Sequence, residues 1–427
     1  MNRCGFCGKP QNEVKSLVSS KDGSSHICND CIGGCVGALG ASPKEDSPKA
    51  KKEEPLRKPT EINAFLGEHV IAQDSARQDI SVAVYNHYKR REVARRGIVA
   101  NAELANVDID KSNILLMGPT GTGKTHIART VAKLLGVPFY VADATRFTQA
   151  GYVGDDVESM LQGLIADAGN DIDKAQWGII VIDEIDKLAR KSGRNASGYR
   201  DVSGEGVQQS LLKLIEGAKV RVPRGFGRSI GVGQGPGANG DEVDTANILF
   251  MCFGSFAGIE EIVKQRINKN ASVGFNTSPD KQRRDLTDRE VFSQVTEKDV
   301  LEFGIIPELK GRLPVLTSTL PLTEEEMVRV LTEPKNAIVK QFRALFAMDG
   351  IDLQFDDGAL GAIARIAQDL PMGARGLRSI VERVVKKYAY ELPADGTVRQ
   401  LLITREVVED SVEAEVIREA VKLAAEA

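Results

Sequence analysis

At 427 residues the chain is too long for one ordinary hydrophobic core, so two or three domains are expected. Its 56 Lys and Arg stand against 60 Asp and Glu, a net charge of −4 that gives no global attraction to nucleic acid, which is therefore not expected as a partner. No signal peptide and no apolar stretch long enough to span a membrane can be read, so a cytoplasmic protein without a membrane partner is expected.

Five of the six cysteines fall within the first 35 residues, where Cys4 and Cys7 form one CxxC and Cys28 and Cys31 another, with 20 residues between them. Two such knuckles suit one tetrahedral Zn²⁺. The metal would supply the folding free energy that a module of about 40 residues cannot gain from its small core. Disulfides are the alternative, disfavoured in a chain without a secretion signal. Cys35 is expected to pack or stay free, and His26 is a weaker substitute ligand. The zinc module is assigned to residues 1–41. Residues 42–59 hold four prolines, many charges and almost no large apolar side chain, the composition of a flexible linker. After it, Ala76, Ile80, Val84 and Tyr88 recur at helical spacing within a helix expected over 74–91.

The apolar strand 113–117 runs into Gly118, Pro119, Thr120, Gly121, Thr122, Gly123, Lys124 and Thr125. This spacing is a phosphate cradle. Its glycines let backbone N–H groups face the β-phosphate, Lys124 reaches the β and γ oxygens, and Thr125 can hold Mg²⁺. A helix is expected from Lys124, its positive end toward the anion and His126 in its first turn. A Gly-rich turn of no function is the alternative at this point. The run Gly178 to Glu184 reads GIIVIDE, a β-branched strand suited to burial on both faces of a parallel sheet and ending in two carboxylates. Asp183 is placed for the Mg²⁺ shell and Glu184 to orient the water that attacks the γ-phosphate. By itself, a strand with a solvated acidic end would look the same. Together the motifs predict an ATPase with ATP and Mg²⁺.

Strands at 113–117, 138–142, 178–182 and 247–253, with helices between, predict an α/β domain with a parallel sheet covered on both faces over residues 60–318. From 319 to 427 the pattern is mainly helical. Thr323 followed by Glu324 to Glu326 reads as a helix start, and Leu377, Ile380, Val381, Val384 and Val385 as one helix face. Between the sheet elements lie three further stretches. Gly151, Tyr152, Val153 and Gly154 put an aromatic and a branched side chain on a mobile tip. Residues 190–206 are rich in Gly, Ser and Arg. Val273, Gly274 and Phe275 form an apolar tripeptide in an otherwise polar stretch with no core to join.

The order and spacing of GPTGTGKT, VIDEIDK, DVSGEGVQQSLLKLIEG, IPELKGRLP and GARGLRSIVE, with the N-terminal knuckle, resemble the ClpX family, the AAA+ unfoldase subunits of the Clp protease. The resemblance covers about residues 3–392. It implies an AAA+ P-loop NTPase with a small C-terminal domain, assembled as a homo-hexamer that unfolds substrate proteins and threads them into the ClpP peptidase, with adaptors on the zinc module. It further implies that Arg312 is the finger arginine acting on the neighbouring subunit's γ-phosphate, that Arg375 is the small-domain sensor arginine, and that Val70 and Ile71 flank the adenine. The family's usual glycine after them is Ala72 here. Tyr152 and Val153 correspond to the pore loop that grips substrate, residues 190–206 to a second pore-lining loop, and Val273 to Phe275 to the loop that docks on the peptidase, where the family commonly starts with Ile or Leu. The basic pore-entrance cluster of the family is not matched between Val222 and Glu242, and no polar sensor residue is identified after the strand 247–253. Two other functions fit parts of the pattern. One is a remodelling chaperone without a protease. The other is a DNA-dependent ATPase with a zinc knuckle, against which stand the acidic balance and the GYVG tip.

Overall fold

The computed structural model describes residues 3–20, 23–32, 56–96, 107, 109–148, 156–190, 204–223, 240–272, 286–370 and 372–418. The chain divides into two compact units, Met1–Pro55 and Leu56–Ala427. In the first, strands β1 (Leu17–Ser19) and β2 (His26–Cys28) pair antiparallel, with Leu17 opposite Cys28. Among its described residues only Cys4 and Cys28 are fully buried. Such a unit has almost no apolar core, so whatever its thiols bind must supply its stability.

The second unit opens with helices α1 (Pro59–Gly67) and α2 (Asp74–Arg96). Pro59, the last residue of the expected linker, is the first helical residue, a position where its missing N–H costs nothing. Ala76, Ile80, Val84 and Tyr88 form the buried stripe of α2, as their spacing predicts. Next come β3 (Ile114–Met117), α3 (Lys124–Leu135), β4 (Phe139–Asp143), α4 (Ser159–Asp167), β5 (Ile179–Asp183), α5 (Glu205–Glu216), a hairpin of β6 (Lys219–Pro223) and β7 (Gly240–Asp244), then β8 (Leu249–Gly254) and α6 (Ile259–Ser272). Three short helices, α7 (Asp288–Ser293), α8 (Glu297–Phe303) and α9 (Pro307–Gly311), lead to β9 (Val315–Ser318).

Five strands form one parallel sheet in the order β4-β5-β8-β3-β9. Every residue of β3 and the first four of β5 are buried, because helices cover both faces. Alternation then sorts the side chains. Leu115, Met117, Ile180, Ile182, Phe250 and Cys252 pack with α4, α5 and α6, whereas Ile114, Leu116, Ile179, Val181, Leu249, Met251 and Phe253 pack with α1, α2 and α3. The four strands read from sequence match to within one or two residues. The edge strand β9 and the hairpin of β6 and β7 did not show in the sequence.

Beyond β9, α10 (Glu324–Thr332) starts at the expected place: Thr323 is its N-cap and Glu326 closes a capping box. Helices α11 (Ile338–Met348), α12 (Asp357–Asp369) and α13 (Arg375–Glu391) enclose a separate core that includes Leu377, Ile380, Val381, Val384 and Val385. This mainly helical region also carries a three-stranded sheet absent from the sequence reading, of β10 (Asp352–Phe355), β11 (Val398–Ile403) and β12 (Glu415–Arg418), parallel between the first two and antiparallel between the last.

Candidate nucleotide site and metal centre

The loop after β3 emerges at the C-terminal ends of the parallel strands, the usual crevice for ligands in an open α/β sheet. Gly118 and Gly121 have φ of 140° and 83°. A Cβ on Gly118 would lie 2.2 Å from Thr319 Oγ1, and one on Gly121 2.2 Å from the Met372 carbonyl oxygen, so side chains are excluded on both counts. The Thr122 hydroxyl donates to the Pro119 carbonyl at 2.9 Å and lies 2.6 Å from the Thr319 hydroxyl. Helix α3 starts at Lys124 with its free N–H groups facing the loop.

A cleft of about 580 Å³ opens there. Val70, Ile71, Thr120, Gly121, Thr122, Gly123, Lys124, Thr125, His126, Asp183, Glu184 and Arg375 all line it. Gly118 and Pro119 do not reach it; Pro119 lines a second cleft across the loop. Lys124 Nζ donates to the carbonyls of Gly118 at 2.5 Å and Pro119 at 2.8 Å, folded onto its own loop. Burial pulls its ammonium down to about 8, opposed by the Asp183 carboxylate and reinforced by Arg375. Burial likewise lowers His126. Thr125 Oγ1 donates to Asp183 Oδ2 at 3.3 Å, joining the hydroxyl and the carboxylate assigned to the same Mg²⁺. Glu184, one residue on, has φ 58° and ψ 32°, a left-handed conformation that costs a non-glycine residue on the order of 1–3 kcal/mol and is commonest at functional sites.

Sequence reasoning missed several lining residues. Ser255, just past β8, lines the cleft; its hydroxyl donates to Asp186 Oδ2 at 3.0 Å and its N–H to Oδ1 at 3.2 Å. Asp186 is the third acid of VIDEIDK, the one local signal that could have pointed to it. Leu322, Val330, Pro334 and Ile338 come from the small domain and, with Val70 and Ile71, give the cleft an apolar wall. Ala72 has φ 56° and Gln73 φ 61°, so the place where the family resemblance implies glycine is indeed left-handed. Gln73 is buried and clamps Leu320, donating to its carbonyl at 2.8 Å and accepting from its N–H at 2.7 Å. A cradle of backbone amides and one amine beside an apolar wall fits a nucleoside triphosphate.

Arg312 lies elsewhere. It follows α9 and precedes β9, at the N-terminal ends of the strands, whereas the cleft lies at their C-terminal ends. Roughly 13 Å of strand separates the two levels. Its guanidinium is half-exposed and paired with Glu216, with Nε to Oε1 at 2.7 Å. Arg375, by contrast, is the first residue of α13 and reaches the cleft.

In the first unit the sulfurs of Cys4, Cys7, Cys28 and Cys31 all lie within 4.8 Å of one another. Cys7 and Cys28 sulfurs are 3.6 Å apart, too far for a disulfide and close to the roughly 3.8 Å edge of a tetrahedron with 2.3 Å Zn–S bonds. Burial opposes ionisation of Cys4, but the amides of Cys7, Phe6 and Cys28 pull its thiol down to about 6. The neighbouring sulfurs of Cys7 and Cys28 push Cys31 up. Four converging sulfurs, with N–H donors supporting charge on one of them, fit Zn²⁺. His26 is not among them; its Nδ1 lies 2.8 Å from the Ser19 hydroxyl. Cys35, Tyr152, Val153, Val273, Gly274 and Phe275 lie outside the described residues, as do 191–203 and 224–239.

Three family models match the chain in order: the ClpX C4-type zinc finger over residues 2–39, the AAA domain (Cdc48 subfamily) over 109–316, and the C-terminal, D2-small domain of ClpB protein over 322–408. The ATP-dependent Clp protease ATP-binding subunit ClpX of Treponema denticola is 45% identical over 410 residues, 96% of this chain and 94% of that one. Identity at that level over nearly the whole of both proteins, on top of the nucleotide cleft and the four-sulfur centre, means that the chain belongs to the ClpX family: it is an AAA+ ATPase that unfolds proteins, with ATP, Mg²⁺ and Zn²⁺ as its cofactors.

Proposed function

We propose that this chain works in the cytoplasm as a homo-hexameric ring that takes up substrate proteins, unfolds them by ATP hydrolysis and passes them into the ClpP peptidase. The observation that carries the ring is the distance between Arg312 and the cleft. They stand at opposite ends of the same strands, so an arginine that neutralises γ-phosphate charge must serve another subunit's cleft. No helix among the described residues is long and apolar enough to cross a membrane.

Within one subunit the roles follow from position. Val70 and Ile71 pack the base. Backbone amides of Gly121, Gly123 and Lys124 take the phosphates, and Lys124 leaves the Gly118 and Pro119 carbonyls for the γ-phosphate oxygens. Thr125 and Asp183 would hold Mg²⁺, which when bound neutralises the β and γ oxygens. Glu184, turned out by its left-handed backbone, orients the attacking water. Arg375 ties the state of the cleft to helix α13 and so to the small domain. Tyr152 and Val153 grip the substrate and Val273, Gly274 and Phe275 dock on the peptidase; these assignments rest on sequence. The proposed division is a zinc module of residues 1–41 that takes adaptors, a linker of 42–59, a large domain of 60–318 and a small domain of 319–427.

The test is unfolding of a tagged, folded fluorescent reporter, with and without the peptidase. Wild type should extinguish the reporter and, with peptidase, degrade it, while Glu184→Gln binds ATP, assembles and does neither. Normal turnover by Glu184→Gln would refute the role of that carboxylate, and unfolding without degradation would favour a free-standing chaperone.

A further inference from the structure

At the N-terminal ends of the strands, Asn113 is a buried amide whose groups are all used. Its Nδ2 donates to the Arg312 carbonyl at 3.1 Å and to the Ile215 carbonyl at 3.4 Å, and its Oδ1 accepts from the Phe250 N–H at 3.1 Å. Ile215 is the neighbour of Glu216, the partner of the Arg312 guanidinium. One side chain therefore fixes both the main chain that carries Arg312 and the end of α5 that carries its counter-ion. Lys111 reinforces that end, donating to the carbonyls of Ile215 and Thr245, each at 3.0 Å. The hydroxyl and methyl alternatives that a plain core position would accept cannot make three such bonds in these directions.

We propose that Asn113 is a positioning residue for hydrolysis in the neighbouring subunit: it sets the backbone of Arg312 while Glu216 aims the guanidinium. This rests on the reading of Arg312 as the arginine that acts in trans. Asn113 touches no substrate and belongs to no part of its own subunit's cleft. Its loss should leave nucleotide affinity intact and lower turnover by on the order of ten- to a hundredfold, the effect of a misplacement of about 1 Å.

The experiment uses full-length protein and mixed rings. Asn113→Ala keeps its own cleft but misplaces the arginine, whereas Glu184→Gln keeps the arginine but has a dead cleft. In equal mixtures about a quarter of the interfaces join a sound cleft to a sound arginine, given head-to-tail contacts. The expected result is low ATP turnover for each variant alone and a several-fold gain on mixing, with unchanged binding of a fluorescent ATP analogue by Asn113→Ala. Asn113→Asp, which keeps the acceptor for Phe250 but not the donors, should behave alike, and surface Glu216→Ala should show a weaker form of the same pattern. Arg312→Ala mixed with Glu184→Gln is the reference. If that pair gains nothing, the trans reading fails and takes this proposal with it. If it gains while Asn113→Ala and Asn113→Asp either turn over like wild type or lose nucleotide binding and gain nothing, only the present proposal is overturned, and Asn113 is a core hydrogen bond.

Discussion

The two ends of the central sheet are built by different means. At the C-terminal ends the main chain does much of the shaping: Gly118, Gly121, Gly123, Ala72, Gln73 and Glu184 all adopt positive φ. At the N-terminal ends buried and half-buried side chains do it: His87, Arg90, Lys111, Asn113 and Thr245 bind carbonyls from distant segments. The first construction leaves a cleft of about 580 Å³, room for a triphosphate. The second is a rigid support of the kind that the proposed trans role of Arg312 requires.

The contrast breaks first at Gly121. Gly121→Ala would drive a methyl into the Met372 carbonyl at a φ that alanine resists, so nucleotide affinity should fall by on the order of a hundredfold or more. Titration with a fluorescent ATP analogue reads this, and near-normal binding would mean that the loop and the segment 372–374 are not in contact in solution. Next in size is Gln73→Ala. It strands the Leu320 amide and carbonyl, at a cost of about 2–3 kcal/mol in the free energy of chemical unfolding. A loss below about 0.5 kcal/mol would show that water replaces the clamp.

At the other end the lever is pH. His87 is almost wholly buried, its Nε2 bonds the Asn247 carbonyl at 3.0 Å, and its Nδ1 has no partner among the described residues. Burial first, then the charges of Arg90 and Lys111, pull it down to about 3 against the bond to Asn247. The unfolded chain therefore binds a proton at pH 6.5 that the folded one refuses until about 3, so this contribution is complete above 6.5 and is lost as pH falls through that window. Between about pH 7.5 and 5.5, His87→Leu should lose less stability than wild type. Equal slopes would show that His87 opens to water. The smallest effect belongs to Ala72→Gly. It relieves a left-handed alanine and should raise the unfolding free energy by up to about 1 kcal/mol. A lowered midpoint would mean that the Ala72 methyl, packed on the small-domain core, matters more than its φ.

These differences also explain what could be read in advance. The cradle, the strand ending at Asp183 and Glu184, and the capping box at Thr323 each lie within a few residues, so local chemistry writes them into local sequence. The departure at Ala72, by contrast, showed only against the family resemblance. The N-terminal network could not be read, because His87, Lys111, Asn113, Thr245 and Arg312 are scattered over more than half the chain and each taken alone is an ordinary polar residue. The edge strand Val315–Ser318 escaped because it is short and only half-buried, and Ser255 because its meaning depends on Asp186, 69 residues away in sequence. In the small domain, short strands between strong helical patterns left no period long enough to register.

The proposed trans role of Arg312 requires that one chain be unable to bring its own Arg312 to its own cleft. ATP turnover per chain, followed through a dilution series while mass photometry counts assembled rings, tests this directly. Turnover should track the assembled fraction and vanish with it, while binding of an ATP analogue persists in the dispersed chains. Dispersed chains that hydrolyse ATP at the rate of the ring would contradict it.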